Sequence, residues 1–351
     1  MDGGAALATP IREAAPVPYM QRDVDALSEL LRVVKLTGAM FFHAEFSAPW
    51  GVNSSPARLL QPLLAPNGER LIIYHFLAAG RAQVKHGDSP AVCLRPGDIV
   101  VFPHGDRHLL SNGVPRCWMD SASDLPALLS RRIKLARAGG GGEITRFVCG
   151  YFRCDVRLSH GFLSGLPPVL VVNVRDEGGG AWLESSILHA VTQLEQATPG
   201  SEVIVAKLSE VLFAETLRRY MTTLPREQTG WLAGARDAAV GRALAALHAA
   251  PAYPWTIDAL ARKAGLSRSA LTARFKHYLG VAPMAYLTDW RLRLGAEALG
   301  ATKLGVTAVA GDVGYESEAA FNRAFKRKYG VPPARFRRER ALPCTVRQSL
   351  Q

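Results

Sequence analysis

Residues 275–283 read FKHYLGVAP, and residues 325–333 read FKRKYGVPP. Five positions of this short repeat are identical at an offset of 50 residues, namely Phe275/Phe325, Lys276/Lys326, Gly280/Gly330, Val281/Val331 and Pro283/Pro333. A repeat of this period is typical of one supersecondary unit that occurs twice.

Turn and cap residues stand at similar places before each copy. An alanine, a glycine four residues later and then a serine occur at Ala261, Gly265 and Ser267 and again at Ala310, Gly314 and Ser317. A serine hydroxyl can accept a hydrogen bond from a free backbone N–H at the start of a helix. Each unit therefore fits a helix-turn-helix, with second helices predicted at about 268–278 and 318–329. A pair of ordinary helical hairpins without a ligand is the alternative.

Positive charge is concentrated in the part of the chain that holds the repeat. From Trp231 to the C-terminus there are 19 Lys and Arg against 8 Asp and Glu, a net charge of +11, and the whole chain has a net charge of +12. A positive field confined to one region is the electrostatic signature of a DNA-binding domain. The charge therefore favours DNA recognition over hairpins without a ligand.

The composition is that of a globular protein with two domains. A chain of 351 residues, 48% of them hydrophobic, can bury two separate cores. The sequence shows no secretory signal and no apolar run long enough to span a bilayer. Its five cysteines have no regular spacing and fit a reducing compartment. We therefore expect a cytoplasmic protein with no membrane partner.

The spacing of apolar residues changes along the chain. From about residue 38 to residue 170, short apolar runs alternate with turn residues, which is typical of an all-β barrel or sandwich. After Pro168 the apolar residues follow a helical period. We predict a loose leader at 1–22, a barrel domain at 23–222 with helices at about 181–222, a linker at 223–235, an all-α domain at 236–340 and a tail at 341–351. The expected fold class is α+β multidomain.

The two helices predicted after the barrel are amphipathic. Their apolar stripes comprise Leu183, Ile187, Leu188, Val191 and Leu194 in the first helix and Ile204, Leu208, Val211, Leu212 and Leu217 in the second. Such a face must be covered by another surface. The helices either form a homodimer interface or pack on the barrel within one chain, and the sequence leaves both alternatives open.

A motif in the barrel region resembles the second motif of the cupin family, which consists of small β-barrels with a central pocket. Its spacing is carried by Gly97, Pro103, Gly105, His108 and Asn112. The first cupin motif is incomplete, because only His75 is present, Leu77 stands in place of the second histidine, and no glutamate follows shortly after. The resemblance therefore implies a cupin-like barrel without the usual metal centre of three histidines and one glutamate.

Three residues of the predicted barrel suggest a different site. His75, His108 and Cys149 would converge inside the barrel, and one cysteine with two histidines suits Zn²⁺ or another divalent metal with an open fourth position. The alternative is that both histidines are core residues with backbone partners and that Cys149 is a small buried apolar residue. Further candidates for the lining of this pocket are His43, Glu45 and Trp50.

Residues 254–292 and 313–337 together resemble the DNA-binding domain of the AraC/XylS transcription regulators. The barrel, with RPGDIVVFPHGDRH at 95–108 and CGYF at 149–152, is similar to the cupin-type sensor domain of a subset of that family. The resemblance implies that two recognition helices enter adjacent major-groove segments of double-stranded DNA. It also implies RNA polymerase as a partner, activation of transcription and an unidentified small-molecule effector.

The residues expected to meet DNA lie on the outer faces of the two recognition helices. By this resemblance, the positions nearest base edges are Ser269, Thr272, Ala273, Glu318, Asn322 and Arg323. The expected phosphate contacts are Lys276, Lys326, Arg327 and Arg337, and Arg268 lies on the same outer surface. Among these side chains, Arg323 can form a bidentate contact with guanine, so the second helix is expected to supply most hydrogen-bonded specificity.

Three functional hypotheses follow from the sequence. The first is a transcription regulator that responds to a small molecule or metal in the cupin pocket, and it is not an enzyme. The second is a cupin enzyme fused to a DNA-binding domain, which the incomplete first cupin motif disfavours. The third is a redox sensor that uses one of the cysteines Cys93, Cys117, Cys149 or Cys154.

Overall fold

The computed structural model describes residues 25–33, 36–66, 69–124, 135–154, 162–163, 165–176, 180–196, 198–225 and 227–341. The predicted leader and, apart from Ala341, the predicted tail lie outside these residues. Of the helices described, none combines the length and the apolar character that are needed to cross a bilayer.

The N-terminal domain is built on two β-sheets that face each other. Its strands are β1 (Leu36–Ser47), β2 (Trp50–Ser54), β3 (Arg70–Ala79), β4 (Ala82–His86), β5 (Val92–Leu94), β6 (Asp98–Phe102), β7 (His108–Asn112), β8 (Met119–Asp120), β9 (Leu135–Gly139), β10 (Ile144–Cys154) and β11 (Leu170–Asn173). The order of strands is β11-β6-β3-β10-β1-β9 in one sheet and β5-β4-β7-β2-β8 in the other. Two short helices, α1 (Ala26–Val33) and α2 (Ala57–Leu64), belong to the same part of the chain.

Strand β3 is buried on both faces, which explains its almost continuous apolar sequence. Ile73 and Leu77 belong to the core inside the barrel, whereas Ile72, Tyr74 and Phe76 belong to the core outside it. This alternation follows from the two-residue period of a strand. It places His75 on the inner face, together with Ile73 and Leu77.

Two longer helices, α3 (Gly180–Glu195) and α4 (Ser201–Thr223), cover the outer face of the six-stranded sheet. The apolar stripe predicted for α4 is partly wrong, because Ile204 is 54% exposed and Val211 is 41% exposed. Ser209 and Thr216 face the core instead, and their hydroxyls donate hydrogen bonds of 2.8 Å and 2.7 Å to backbone carbonyls one turn earlier. Short hydroxyl side chains satisfied in this way can be buried in a helix.

The C-terminal domain is entirely helical. Its helices are α5 (Trp231–Arg236), α6 (Ala238–Ala249), α7 (Ile257–Ala264), α8 (Arg268–Leu279), α9 (Pro283–Ala301), α10 (Val306–Asp312), α11 (Glu318–Tyr329) and α12 (Pro333–Ala341). Helices α7 and α8 form the first helix-turn-helix unit, and α10 and α11 form the second. The predicted linker at 223–235 is too long, because α5 begins inside it and buries Trp231 and Leu232.

The sequence repeat corresponds to a repeat of local structure. The Ser267 hydroxyl accepts a 3.2 Å hydrogen bond from the backbone N–H of Ala270, and Ser317 caps α11 with the same 3.2 Å geometry. Each recognition helix ends at a glycine with positive φ, 72° at Gly280 and 78° at Gly330, a conformation that glycine adopts without steric cost. The prediction of two helix-turn-helix units is therefore confirmed.

The two helix-turn-helix units have different cores. The outer face of the barrel sheet, helices α3 to α8 and the first part of α9 form one continuous apolar core. Helix α1 also contributes to it and packs against α6 of the C-terminal domain. The second unit is built around a separate core that includes Phe321, Phe325 and Phe336. The first unit is therefore fixed to the barrel domain, and α9 connects it to the second.

Candidate nucleic-acid interface and barrel site

The first recognition helix, α8, presents short side chains on its outer face. Ser269, Ala273 and Lys276 are exposed, and Thr272 is half-buried. The sequence-predicted Arg268 is also exposed, but its guanidinium lies 3.2 Å from Asp258 of α7. The hydroxyls of Ser269 and Ser267 lie 3.2 Å apart. The surface of α8 therefore offers hydroxyl groups, one methyl group and the ammonium group of Lys276.

The second recognition helix, α11, presents longer polar side chains. Arg323, Lys326 and Arg327 are exposed, whereas Glu318 and Asn322 are half-buried. The Asn322 amide donates a 3.4 Å hydrogen bond to Glu318, which also accepts one from Thr307 of α10. The carboxylate of Glu318 is thus held by two neighbours, while the three cations point away from the core.

Arg337 has a structural position that differs from the sequence expectation. Its guanidinium donates a 3.1 Å hydrogen bond to the carbonyl of Leu299 and another to the carbonyl of Leu304. These bonds tie α12 to the end of α9. We therefore assign Arg337 to the packing of the second unit, and a phosphate contact would compete with these two hydrogen bonds.

Inside the barrel, His75, His108 and Cys149 converge as the sequence suggested. His75 and Cys149 are register partners on β3 and β10, and the His75 Nδ1 atom lies 3.0 Å from the Cys149 Sγ atom. The other ring nitrogen of His75, Nε2, lies 2.8 Å from Nε2 of His108, which stands on the opposite sheet. His75 therefore links the two sheets across the barrel interior.

The backbone carbonyl of Asp106 determines which atoms donate and which accept in this cluster. Nδ1 of His108 lies 2.9 Å from the carbonyl oxygen of Asp106, so this nitrogen donates. In a neutral imidazole the other nitrogen then accepts, so Nε2 of His108 accepts from Nε2 of His75. Nδ1 of His75 in turn accepts from the thiol of Cys149. The result is a one-way chain of hydrogen bonds that ends on a backbone carbonyl.

Burial keeps all three side chains uncharged. Desolvation lowers the pKa of His108 to about 4 and, together with the neighbouring His108, holds the pKa of His75 well below its usual value. Desolvation also raises the pKa of the Cys149 thiol. A buried thiol of this kind is a poor nucleophile, so Cys149 does not support the redox hypothesis.

The metal hypothesis gains no support from this arrangement. Each ring nitrogen of His75 and His108 is already engaged in the hydrogen-bond chain. In the part of the chain that the structure describes, no group of three or more His, Cys, Asp or Glu side chains could hold a metal ion. Bound zinc therefore stays a prediction. The arrangement matches the alternative of core histidines in part, because His108 has a backbone partner whereas both partners of His75 are side chains.

A small cavity lies beside this cluster. It has a volume of about 90 Å³ and its walls include Phe46, Ile73, Leu110, His75 and Cys149. Of the three further candidates, Trp50 is buried in the barrel core behind Phe46 and donates a 3.2 Å hydrogen bond to Thr145. Glu45 forms surface ion pairs with Arg137 and Arg146. Neither these two residues nor His43 lines the cavity, so that expectation was wrong.

Comparison with protein-family models identifies both domains. Residues 25–222 match a family described as Cupin, and residues 260–339 match one described as Helix-turn-helix domain. The chain is also 36% identical, over 255 residues, to an AraC-like transcription regulator of Streptomyces antibioticus, an alignment that covers 72% of this chain and 82% of that protein. The chain belongs to the AraC-like transcription regulators.

Other members of this family align along almost their whole length. The HTH-type transcriptional regulator AlkR of Acinetobacter baylyi is 27% identical over 320 residues, which are 90% of this chain and 100% of AlkR. The RCS-specific HTH-type transcriptional activator RclR of Escherichia coli is 26% identical over 318 residues, 90% of this chain and 97% of RclR. A cupin domain followed by a DNA-binding domain is therefore the organisation of this AraC-like regulator.

A cluster of charged residues in this AraC-like regulator was missed by the sequence reasoning. Asp289 of α9 forms a 2.6 Å ion pair with Arg293, and its second carboxylate oxygen binds Lys328 of the second recognition helix. The ammonium of Lys328 also donates a 3.2 Å hydrogen bond to the backbone carbonyl of Asp289. The four-residue spacing of Asp289 and Arg293 on a predicted helix indicates their pairing. Nothing local in the sequence indicates Lys328 as a partner.

The low pKa of His108 predicts a pH-dependent stability. In the unfolded chain a histidine takes up a proton near pH 6.5, whereas His108 in the fold does so near pH 4. The unfolded state therefore binds more protons between these pH values, and the free energy of unfolding falls as the pH is lowered from 7 to 4. His108 alone would contribute on the order of 3 kcal/mol to this fall.

Urea denaturation at pH 7, 6, 5 and 4 would measure this effect. We expect His108→Gln to be less stable than the wild type at pH 7 and to have a shallower dependence on pH. His189→Gln, at an exposed position of α3, serves as the matched control and should follow the wild type. Parallel curves for the wild type and His108→Gln would contradict the assignment of a neutral, buried His108.

Proposed function

We propose that this AraC-like regulator binds a specific DNA site with both recognition helices and activates transcription there. The observation that carries the proposal is the pair of capped helices, α8 and α11, which present exposed polar and basic side chains. They belong to a region with a net charge of +11, which provides the attraction to phosphates. Activation is supported by the name of the relative RclR, and it would require contact with RNA polymerase.

The two helices are proposed to read DNA in different ways. Helix α9, which connects the two units, has 19 residues and is therefore about 28 Å long. The short side chains of α8 suit thymine methyl groups and single hydrogen bonds. On α11, Arg323 is long enough to make a bidentate contact with guanine, and Asn322 can do so with adenine once it leaves Glu318. Most discrimination between bases is therefore assigned to α11.

Replacing Arg323 by alanine tests this assignment. We expect Arg323→Ala to weaken binding to the cognate site by about 1–3 kcal/mol and to relax the preference at one base pair, because a bidentate contact is lost. Lys326→Ala is the matched control on the same helix. It should weaken binding to all sequences alike and lower the slope of log affinity against log salt by about 1.

Fluorescence anisotropy would measure the DNA affinity of both variants. The two duplexes are the DNA next to the regulator's own gene and a scrambled sequence, each tested across a salt series. An equal loss on the two duplexes for Arg323→Ala would make Arg323 a phosphate contact. Equal and weak binding of the wild type to both duplexes would count against a sequence-specific regulator.

The barrel cavity is the proposed site for a small effector. Its walls are mainly apolar, and its volume of about 90 Å³ limits it to a very small molecule. Its polar side chains include His75 and Cys149, which hydrogen-bond to each other, and His75 also bonds to His108. A ligand that binds better to one arrangement of the two domains than to another would shift the population of DNA-binding molecules.

Filling the cavity would test this assignment. With benzene as the probe, we expect shifts of the methyl NMR signals of Leu60, Ile73 and Leu110, which line the cavity, and a change of DNA affinity. Val52→Phe places a ring in the cavity and should abolish both effects. Val114→Phe, at a position that is 87% exposed, is the control and should retain them. Identical responses of the two variants would exclude the barrel cavity as the effector site.

A homodimer through helix α4 is also proposed. Ile204, Leu208 and Val211 follow one another at intervals of four and three residues, the spacing of an interhelical seam. Ile204 and Val211 are exposed, and Leu208 is half-buried against the intrachain core, in which Leu212 and Leu217 are buried. Helix α4 therefore covers the barrel with one face and leaves an apolar edge exposed. On the neighbouring helix α3, Trp182 is also exposed, at 62%.

Sedimentation velocity would test the dimer. We expect the wild type to sediment as a dimer and Val211→Glu to sediment as a monomer, because a carboxylate at the seam must be desolvated on association. Val114→Glu, which introduces the same charge at another exposed valine, should leave the dimer intact. A wild type that is monomeric at working concentrations would contradict the proposal.

A further inference from the structure

A second and larger cavity lies between the barrel domain and the first helix-turn-helix unit. Its volume is about 510 Å³, and Leu30 and Phe162 line it from the side of the barrel domain. Ligand pockets in proteins typically measure about 300–1,000 Å³ and often lie at domain interfaces. The barrel cavity, at about 90 Å³, is well below this range. The interdomain cavity therefore has the dimensions of a site for an ordinary organic molecule.

Aromatic side chains form the wall of this cavity on the side of the C-terminal domain. Trp231, Tyr286 and Trp290 line it. His248 stacks on Trp290 with ring centroids 4.1 Å apart, and it also stacks on Trp231 and Tyr286. The rings are therefore fixed by one another. Aromatic side chains fixed in this way favour a planar ligand that can pack against them.

Hydrogen bonds with Trp231 and His248 hold the Tyr286 ring of this wall in place. The Tyr286 hydroxyl accepts a 2.9 Å hydrogen bond from the Trp231 indole, so it donates its own proton to Nε2 of His248, 2.8 Å away. Because burial lowers the pKa of His248 to about 3, this ring is neutral and carries its proton on Nδ1. Nδ1 of His248 and Nε1 of Trp290 have no hydrogen-bond partner among the described residues, but both atoms are buried and neither is open to the cavity.

The charged residues at the cavity favour an anionic ligand. Asp289 and Arg293 both line it, and the Asp289 carboxylate is already shared between Arg293 and Lys328. The lining itself holds one carboxylate and one guanidinium, and Lys328, which lies outside the lining, gives this group of three residues a net charge of +1. A cationic ligand would have to displace one of these partners, whereas an anionic ligand adds a counter-charge.

We propose that the interdomain cavity binds a planar organic anion, of the class of aromatic carboxylates. Its ring packs on the wall formed by Trp231, Tyr286 and Trp290, and its carboxylate lies at the edge that Arg293 forms. This site is distinct from the barrel cavity, and it does not depend on an effector there.

A ligand in this cavity would change the contacts that anchor the second recognition helix, α11. Asp289 and Arg293 stand on α9, and the Asp289 carboxylate holds Lys328 near the end of α11. An anion that draws Arg293 away from Asp289 changes the partners of the carboxylate that anchors α11. Ligand binding is therefore coupled to DNA binding, because the ligand contacts Arg293 differently when this residue is paired with Asp289 and when it is not.

Isothermal titration of the full-length protein with three probes of one shape tests the proposal. The probes are 2-naphthoate, the neutral 2-naphthamide and the cationic 2-naphthylmethylamine. We expect one molecule of 2-naphthoate to bind per chain, at least about tenfold more tightly than either other probe, since a hydrogen-bonded ion pair contributes more than a neutral contact. Equal binding of acid and amide, or a preference for the amine, would overturn the assignment of an anion.

Two alanines of α9 provide a matched pair of variants. Ala285 lines the cavity and is exposed, so Ala285→Trp can fill the space without disturbing the core, and it should weaken 2-naphthoate binding at least tenfold. Ala301→Trp places the same ring at the far end of the helix and should bind like the wild type. Undiminished binding by Ala285→Trp would overturn the site.

Two further measurements keep this proposal separate from the proposed function. Val52→Phe, which fills the barrel cavity, should bind 2-naphthoate like the wild type, and a loss of binding there would overturn a separate site. Saturating 2-naphthoate should change the DNA affinity of the wild type but not that of Ala285→Trp, and an unchanged wild type would overturn the coupling. Specific DNA binding without ligand tests the regulator itself.

Discussion

The contacts of Trp231 join the two domains of this AraC-like regulator. Its ring meets Phe162 of the barrel domain edge-on, with centroids 5.4 Å apart, and its indole N–H binds the Tyr286 hydroxyl of α9. Because Trp231 is buried, the barrel sheet, its covering helices and the first helix-turn-helix unit share one apolar core. The first unit is therefore packed against the barrel domain, whereas the second unit, which has its own core, is positioned through α9.

The parts of the structure that were predicted correctly depend on short-range signals. Ser267 caps the first recognition helix and Gly280 ends it, and both roles follow from the residue type and its place beside an apolar period. Such features are predictable because each depends on a few neighbouring residues. The meeting of His75 with Cys149 was suggested by the resemblance of this region to a cupin barrel, and it occurs because the two residues are register partners.

The features that sequence reasoning missed depend on pairings between distant segments. Lys328 binds Asp289 from a different helix, and no local pattern selects that partner. Trp231 was assigned to a linker because its burial depends on Phe162 and α9, which the chain brings together only in the folded state. The exposure of Val211 was missed because the apolar period alone does not show that the hydroxyl of Thr216 is satisfied within its own helix.

The N-terminal domain has the cupin fold, and its inward-facing histidines hold the two sheets of the barrel together. With Leu77 in place of a second histidine, the hydrogen-bond chain from Cys149 to the Asp106 carbonyl saturates both remaining imidazoles and bridges the two sheets. A ligand inside such a barrel can change DNA binding only through the apolar core that the barrel shares with the first helix-turn-helix unit. That core is close-packed, so it transmits strain but allows only small displacements of its side chains. A ligand in the interdomain cavity instead touches α9 directly. The larger cavity is therefore the shorter route from ligand binding to the second recognition helix.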